Sequence, residues 1–112
     1  MQKDNIIFLR HILERAEKII AFTKGMSEED FMKDDKTQSA VVREIEVIGE
    51  AAKRVSDDFR QAHPEISWRL MSGMRDMLIH NYEGVDLLSV WATVQRDIPF
   101  LILALKKIIP NR

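Results

Sequence analysis

Apolar residues recur along the first half of the chain at steps of three and four positions, the period of a helix with one buried face. One such segment runs from about Asp4, a predicted N-cap, to about Thr23, and its apolar stripe is Ile6, Leu9, Leu13, Ala16 and Ile20. A second runs from about Thr37 to about Ser56, with the stripe Val41, Ile45, Ile48, Ala52 and Val55. No segment alternates apolar and polar residues as a half-buried strand does. The pattern predicts an all-α fold.

The second half of the chain carries two more helical stripes. The third helix is predicted from about Ser67 to Asn81 or Tyr82, where Gly84 follows. The fourth is predicted from the N-cap Asp86 to about Ile109, with the stripe Leu87, Trp91, Val94, Ile98, Leu101, Leu105 and Ile108. Pro99 lies within this stripe, and the apolar register continues on both sides of it. We therefore expect a kinked helix, or two abutting helices, at the proline.

Shorter elements connect these helices. Lys24-Gly25 is a typical helix end, and Ser27 with three following acids predicts a short helical turn. Lys33 to Lys36 is predicted as a loop, and Asp57 to His63 as a short helix before Pro64. Residues 1–112 are thus predicted to form a single domain, an up-and-down bundle of four to five helices.

Composition narrows the chemistry that this bundle can perform. The 112 residues contain 17 Lys and Arg against 18 Asp and Glu, so the net charge of −1 gives no overall attraction for a polyanion. Cysteine is absent, which excludes disulfides, thiolate metal sites and Cys nucleophiles. No two His are four residues apart and no acidic loop has calcium spacing, so neither a metal nor a cofactor is expected. The longest apolar run, Ile98 to Leu105, is too short to span a bilayer, and no signal peptide is evident, so a cytoplasmic protein without membrane contact is expected.

The third predicted helix carries the candidate chemistry. A helix turns by 100° per residue, which places Arg75 and Tyr82 on one stripe with apolar neighbours. Gly73, Asp76 and His80 fall on the adjacent stripe, where Asp76 and His80 are four residues apart and can touch. A carboxylate beside an imidazole orients the ring and favours its protonated form. Gly73 leaves room for a ligand or another backbone to approach. The helix end thus presents a permanent cation, a titratable base and a phenol.

This set of groups suits cleavage of an RNA phosphodiester. A guanidinium matches the non-bridging oxygens of a phosphate, and an imidazole moves protons near neutral pH. RNA supplies its own nucleophile in the ribose 2′-hydroxyl, so neither metal nor protein nucleophile is required. One Arg and one His make a small active site, and a two-fold dimer would provide a second copy of each. A structural role is the alternative: the His and Tyr would cap a helix end, and Arg75 would pair with a carboxylate.

The spacing of Arg75, His80 and Tyr82 resembles the Arg-x4-His-x-Tyr signature of HEPN-domain proteins, particularly the HepT-like toxins. The likeness extends over nearly the whole chain and is weakest at the ends and over residues 24–37. It includes Val42 to Arg54, Met74 to Tyr82, Gly84-Val85-Asp86, Val90-Trp91 and Asp97-Ile98-Pro99.

The resemblance implies a homodimer in which two motif copies line one cleft and cleave tRNA or mRNA without a metal. Arg75 would bind phosphate, His80 would act as general acid or base, and Asp76 would support them. The resemblance further implies a minimal nucleotidyltransferase antitoxin as partner, which transfers AMP from ATP to Tyr82. The added phosphate would repel RNA and occupy the site beside Arg75.

Two readings compete with this one. HEPN domains also serve as non-catalytic modules, and the chain would then bind and regulate a nucleotidyltransferase. A purely structural homodimer is the third possibility.

The segment from Lys53 to Arg75 has five cations and three acids, so the sequence around the candidate site is only mildly basic.

Overall fold

The computed structural model describes residues 3–73 and 86–110, and within them every regular element is helical. In chain order these are α1 (Lys3–Thr23), α2 (Glu28–Met32), α3 (Asp35–Arg54), α4 (Asp57–Ala62), α5 (residues 68–73), α6 (Leu87–Ala92), a π-helical segment (Thr93–Asp97) and α7 (Ile98–Ile108). The all-α prediction is confirmed. Helix α1 contacts both α3 and α7, while α2 contacts α3 and α6.

The directions of the two longest helices follow from two polar contacts. Asn5 at the start of α1 bonds to Ser56 just after α3, and Arg15 farther along α1 pairs with Glu44 in the middle of α3. Helices α1 and α3 are therefore antiparallel. The small residues Gly49, Ala51 and Ala52 are buried on α3, as a close helix–helix approach requires.

Short polar side chains set the helix beginnings. Ser27 forms a reciprocal capping box with Asp30 at the start of α2, and Ser56 accepts the backbone N–H of Phe59 at the start of α4. Asp34 caps α3, which begins at Asp35 and not near Thr37. The loop predicted from Lys33 to Lys36 is therefore wrong for its last two residues. An Asx cap can begin a helix inside a charged run, because the cap acts through one carboxylate.

The end of α1 follows the prediction, and its beginning does not. The helix stops at Thr23, and Gly25 has a φ of +80°, a left-handed conformation that glycine adopts without strain. Asp4, predicted as the N-cap, lies inside the helix, because α1 includes Lys3.

The buried face of α1 is rotated relative to the predicted stripe. Ile12 and Ile19 are fully buried, whereas Ile6 and Ile20 are only half-buried. The buried positions are Asn5, Leu9, Ile12, Leu13, Ala16, Ile19 and Thr23. The apolar period was read correctly, but α1 packs against α3 on one side and α7 on the other. Its apolar face is consequently wider than one stripe.

Helix α3 follows its predicted stripe at every position. Val41, Ile45, Ile48, Ala52 and Val55 are all buried. Phe31 from α2 is also fully buried, and its ring centroid lies 5.2 Å from that of Trp91 on α6. This aromatic pair packs the short helix α2 against α6.

Pro99 does not interrupt the last helix, as the unbroken apolar register indicated. A π-helical turn over Thr93–Asp97 leads directly into α7, where the proline occupies the first turn. A wider turn gives room for the proline ring, which would crowd the carbonyl one turn earlier in a regular α-helix. The buried positions across the turn are Val90, Val94 and Ile98, four residues apart at each step.

Residues Leu87–Ile108, taken as one helix of 22 residues, are long and apolar enough by length and composition to cross a membrane. Arg96 and Asp97 interrupt this window, so it does not stand out as an uninterrupted apolar run in the sequence. The buried stripe of this helix belongs to the core, and Arg96 pairs with Asp97 near its middle. A core helix of a bundle passes the same test.

Candidate active site

The four predicted site residues, Arg75, Asp76, His80 and Tyr82, lie in segment 74–85, outside the described residues. Their predicted roles therefore remain predictions. The structure does describe both ends of this segment: α5 leads into it, and Asp86 begins the helix that follows it. The geometry of these two ends determines where the motif is attached to the bundle.

The leading end is anchored in the core. Met71 on α5 is 1% exposed, and Ile66 just before the helix is 2% exposed. The indole Nε1 of Trp68 donates a hydrogen bond of 3.0 Å to the carbonyl of His63, and its ring packs edge-on against Phe59. A helix fixed by two core side chains and an indole bond gives the motif a rigid base.

Gly73 is the last described residue before the motif. It is exposed, and a Cβ atom built there would meet nothing within 4 Å. From the sequence, Gly73 is expected to allow a ligand or another backbone to approach. Among the described residues no backbone uses this space.

The trailing end is fixed by Asp86. Its carboxylate accepts hydrogen bonds from the backbone N–H groups of Leu88 (3.1 Å) and Ser89 (3.2 Å) and from the Ser89 hydroxyl (2.7 Å). These bonds, that of the Ser89 hydroxyl most of all, hold the pKa of the Asp86 carboxyl below its ordinary value. Val90 in the next turn is buried, and the helix that leaves the motif is thus tied both to its cap and to the core.

The structure describes the surroundings of the other two histidines. His63 caps the end of α4, its ring lies 4.4 Å from that of Phe59, and its Nδ1 lies 3.1 Å from Glu65 Oε2. The backbone N–H of Glu65 and then this ring lower the pKa of Glu65. His11 lines a groove between α1 and α3 together with Arg10 and Arg54.

No group of three or more His, Asp or Glu side chains in the described part of the chain is arranged to hold a metal ion. Helices α4 and α5, which precede the motif segment in the chain, instead offer guanidinium, hydroxyl and amide groups. Arg60, Gln61, Arg69 and Ser72 line an open hollow between α4 and α5. From the sequence, Arg60 and Arg69 count only as mildly basic surroundings. The three-residue spacing of Arg69 and Ser72 on α5 is the signal that could have identified Arg69.

Comparison with known proteins identifies the family of this chain. The family model "Ribonuclease HepT-like" matches residues 12–108, a range that includes α5, the whole motif segment and Asp86. The chain belongs to the HepT-like ribonuclease family. The HEPN-family assignment made from Arg75, His80 and Tyr82 is confirmed.

Three relatives resemble the chain over most of its length. "Probable ribonuclease HepT" of Thermococcus cleftensis is 50% identical over 101 residues, which are 90% of this chain and 92% of the relative. "Putative RNase MJ1216" of Methanocaldococcus jannaschii is 45% identical over 98% of this chain and 91% of its own. "Putative RNase TTE0752" of Caldanaerobacter subterraneus is 43% identical over 91% of each chain. No solved structure matches the chain.

Proposed function

We propose that this HepT-like protein is a metal-independent endoribonuclease toxin whose active site is completed across a homodimer. The observation that carries the proposal is the family match over residues 12–108, because that range contains Arg75, His80 and Tyr82 in the signature spacing. The names of the relatives support ribonuclease activity in general. Transfer RNA or messenger RNA is the proposed substrate.

In the proposed reaction the ribose 2′-oxygen attacks the adjacent phosphorus. The bond from the 2′-oxygen to phosphorus forms while the bond from phosphorus to the 5′-oxygen breaks, which leaves a 2′,3′-cyclic phosphate and a 5′-hydroxyl. One proton leaves the 2′-hydroxyl and one joins the 5′-oxygen, so a base and an acid are both needed. His80 from each protomer supplies one of them, Arg75 stabilises the charge on the phosphate oxygens, and Asp76 orients the imidazole.

An apolar surface formed by α5 and α7 supports the homodimer. Phe100 and Leu103 on α7 are 75% and 63% exposed, and Leu70 on α5 is 39% exposed. Leu70 and Phe100 line the same cavity of about 90 Å³ between the two helices. Exposed apolar side chains clustered in this way are typical of an interface. A two-fold axis through this face would bring the two copies of α5, and the segments that follow them, together.

We further propose that a nucleotidyltransferase antitoxin silences the toxin by modifying Tyr82. The phenol oxygen would displace pyrophosphate from the α-phosphorus of ATP, with loss of the phenolic proton, and Tyr82 would then carry AMP. The new phosphate is an anion two residues from His80, where it would compete with RNA for Arg75. We place the toxin and this partner in the cytoplasm, where both RNA and ATP are available.

Growth and cleavage assays test the ribonuclease proposal. Expression of the wild-type chain without its partner should arrest growth, and the purified protein should cut RNA in excess EDTA. Arg75→Ala and His80→Ala should abolish both effects, while Arg43→Ala, at an exposed site on α3, should retain them. RNA whose 2′-hydroxyls are methylated should resist cleavage. Harmless expression together with intact RNA would contradict the proposal and favour a binding module instead.

Intact mass tests the modification. After co-expression with the nucleotidyltransferase and incubation with ATP, the mass should rise by one AMP, and cleavage should be lost in parallel. Tyr82→Phe should show no added mass and should stay active in the presence of the partner. A mass increase that persists in Tyr82→Phe would place the modification on another residue.

A further inference from the structure

An open hollow of about 440 Å³ lies between α4 and α5, beside the helix that leads into the motif. Its lining residues are Asp57, Arg60, Gln61, Trp68, Arg69 and Ser72. Two guanidinium groups, one amide, one hydroxyl and one indole therefore surround the same space, with a single carboxylate among them. This combination is typical of sites that hold a phosphate next to a base.

The two arginines of the hollow differ in their partners. Arg60 donates a hydrogen bond to Asp57 one turn earlier on α4, so its charge is largely balanced. Arg69 is exposed and has no ion-pair partner among the residues that the structure describes. Within the described part of the chain, Arg69 is therefore the one cation of the hollow without an ion-pair partner, and it lies on α5, the helix that leads into the motif segment.

The indole of Trp68 is a fixed part of the wall of the hollow. Trp68 is held from one side by its hydrogen bond to the His63 carbonyl and from another by the ring of Phe59. Gln61 and Ser72 add hydrogen-bonding groups on the two helices that form the walls. An anion bound here would meet groups carried on two helices and would not need to order a loop, which lowers the entropic cost of binding.

Covalent geometry keeps this hollow near the motif. Arg69 and Gly73 are four residues apart in a helix, which corresponds to about 6 Å of rise. Arg75 follows Gly73 by two residues, which span at most about 7 Å. The Cα atoms of Arg69 and Arg75 therefore lie within about 13 Å of each other, a distance that a short stretch of RNA backbone can bridge.

We propose that the hollow binds a phosphate of the RNA substrate other than the scissile one, with Arg69 as its main contact. Ser72 and Gln61 add hydrogen bonds, and Trp68 provides a surface for the adjacent base. The inference rests on the proposed ribonuclease function and extends it to a substrate-positioning site outside the signature motif. It explains how a chain of net charge −1 holds a polyanion: the cation acts locally, and a dimer contains two such hollows.

RNA binding measured without cleavage tests the inference. In a His80→Ala background, fluorescence anisotropy with end-labelled bulk tRNA gives the Kd at several salt concentrations. Adding Arg69→Ala should weaken binding about 5- to 10-fold. The negative slope of log K against log salt should become shallower by about 0.7 or more. Adding Arg43→Ala, which removes an exposed arginine of α3, should change neither quantity, and Arg69→Lys should restore most of the slope.

Steady-state cleavage of the same tRNA provides the second readout. With His80 present, Arg69→Ala should raise KM with little change in kcat, because it removes binding that the ground state and the transition state share. An unchanged Kd and salt slope, or equal losses in Arg69→Ala and Arg43→Ala, would overturn the inference.

The two proposals fail differently. Wild-type protein that binds tRNA through Arg69 but never cleaves it would contradict the ribonuclease function and retain the phosphate site. Wild-type protein that cleaves tRNA without any dependence on Arg69 would retain the function and reject the site. Protein that binds no tRNA at all would reject both.

Discussion

Asn5 and Ser56 bond to each other twice, although 51 residues separate them in the chain. The side-chain amide nitrogen of Asn5 donates to the Ser56 hydroxyl at 3.1 Å, and the Ser56 backbone N–H donates to Oδ1 of the same Asn5 amide at 3.1 Å. The same hydroxyl accepts the backbone N–H of Phe59 and caps α4. Asn5 is only 4% exposed, so these bonds lie largely out of water.

Removing either partner should therefore destabilise the bundle measurably. We expect Asn5→Ala and Ser56→Ala each to lower the free energy of unfolding by about 1–2 kcal/mol, since each leaves a buried polar group unpaired or a helix uncapped. The double variant should lose less than the sum of the single losses, because both changes break the same pair. Urea denaturation measures all three, with the exposed helical Ser39→Ala as control. Strictly additive losses would show that the two residues act independently.

Arg15 and Glu44 form a second polar link between α1 and α3. An Arg15 guanidinium nitrogen lies 3.3 Å and 3.4 Å from the two carboxylate oxygens, and Glu44 is 6% exposed. Arg15→Met would leave the carboxylate buried without its cation and should cost about 3 kcal/mol. Glu44→Gln should cost less, because the arginine side chain is 25% exposed and reaches water.

The double variant Arg15→Met/Glu44→Met distinguishes the penalty of an unpaired charge from the value of the pair. It should recover most of the stability lost in Arg15→Met, since two apolar side chains replace two charges of similar volume. Urea denaturation is again the measurement. A double variant less stable than Arg15→Met would mean that the ion pair itself holds the two helices together.

The apolar surface of Leu70, Phe100 and Leu103 gives a prediction about assembly and activity together. Phe100→Glu should shift the protein from dimer to monomer at micromolar concentration, because a charge would be buried in the proposed interface. RNA cleavage should fall with the dimer fraction, while the helical content of the monomer should be kept, since the side chain is exposed within one chain.

Sedimentation velocity and a cleavage assay on the same samples check this prediction. Ile7→Glu is the matched control, because Ile7 is 60% exposed on α1 and does not line the cavity of Leu70 and Phe100. A fully active, dimeric Phe100→Glu protein would mean that the interface lies on another face.

The cap at Asp86 makes part of the stability depend on pH. Its pKa is lowered from the ordinary value of 3.8, so the carboxylate stabilises the folded state above that value and loses this effect as the pH falls through the lower, folded pKa. Asp86→Asn should therefore melt at a lower temperature than the wild type at pH 7, and the difference should shrink toward pH 3. Thermal melts at a series of pH values measure the difference. A constant difference across this range would mean that the Asp86 charge plays no part.

The sequence was most informative where the deciding interactions are local. Apolar spacing predicted α1, α3 and the last helix, and the beginning of the third predicted helix, whose remainder lies outside the described residues. The residue types that bond their own backbone predicted the caps at Ser27 and Asp86. The stripe of α3 was predicted in full. The family was readable from Arg75, His80 and Tyr82, because a signature is a spacing of residues along the chain.

Only the tertiary structure decided how those helices face one another. Which helix packs against which decides that Glu44 is buried and that a hollow lies between α4 and α5. It also decides that Ile12 and Ile19 are fully buried while Ile6 and Ile20 are not. Periodicity along one helix fixes the presence of an apolar face, but the width and direction of that face are set by its neighbours. A π-helical turn before Pro99 likewise keeps the last helix continuous. The sequence therefore determined the elements and the family, while packing determined the polar contacts between them and the hollow beside the motif.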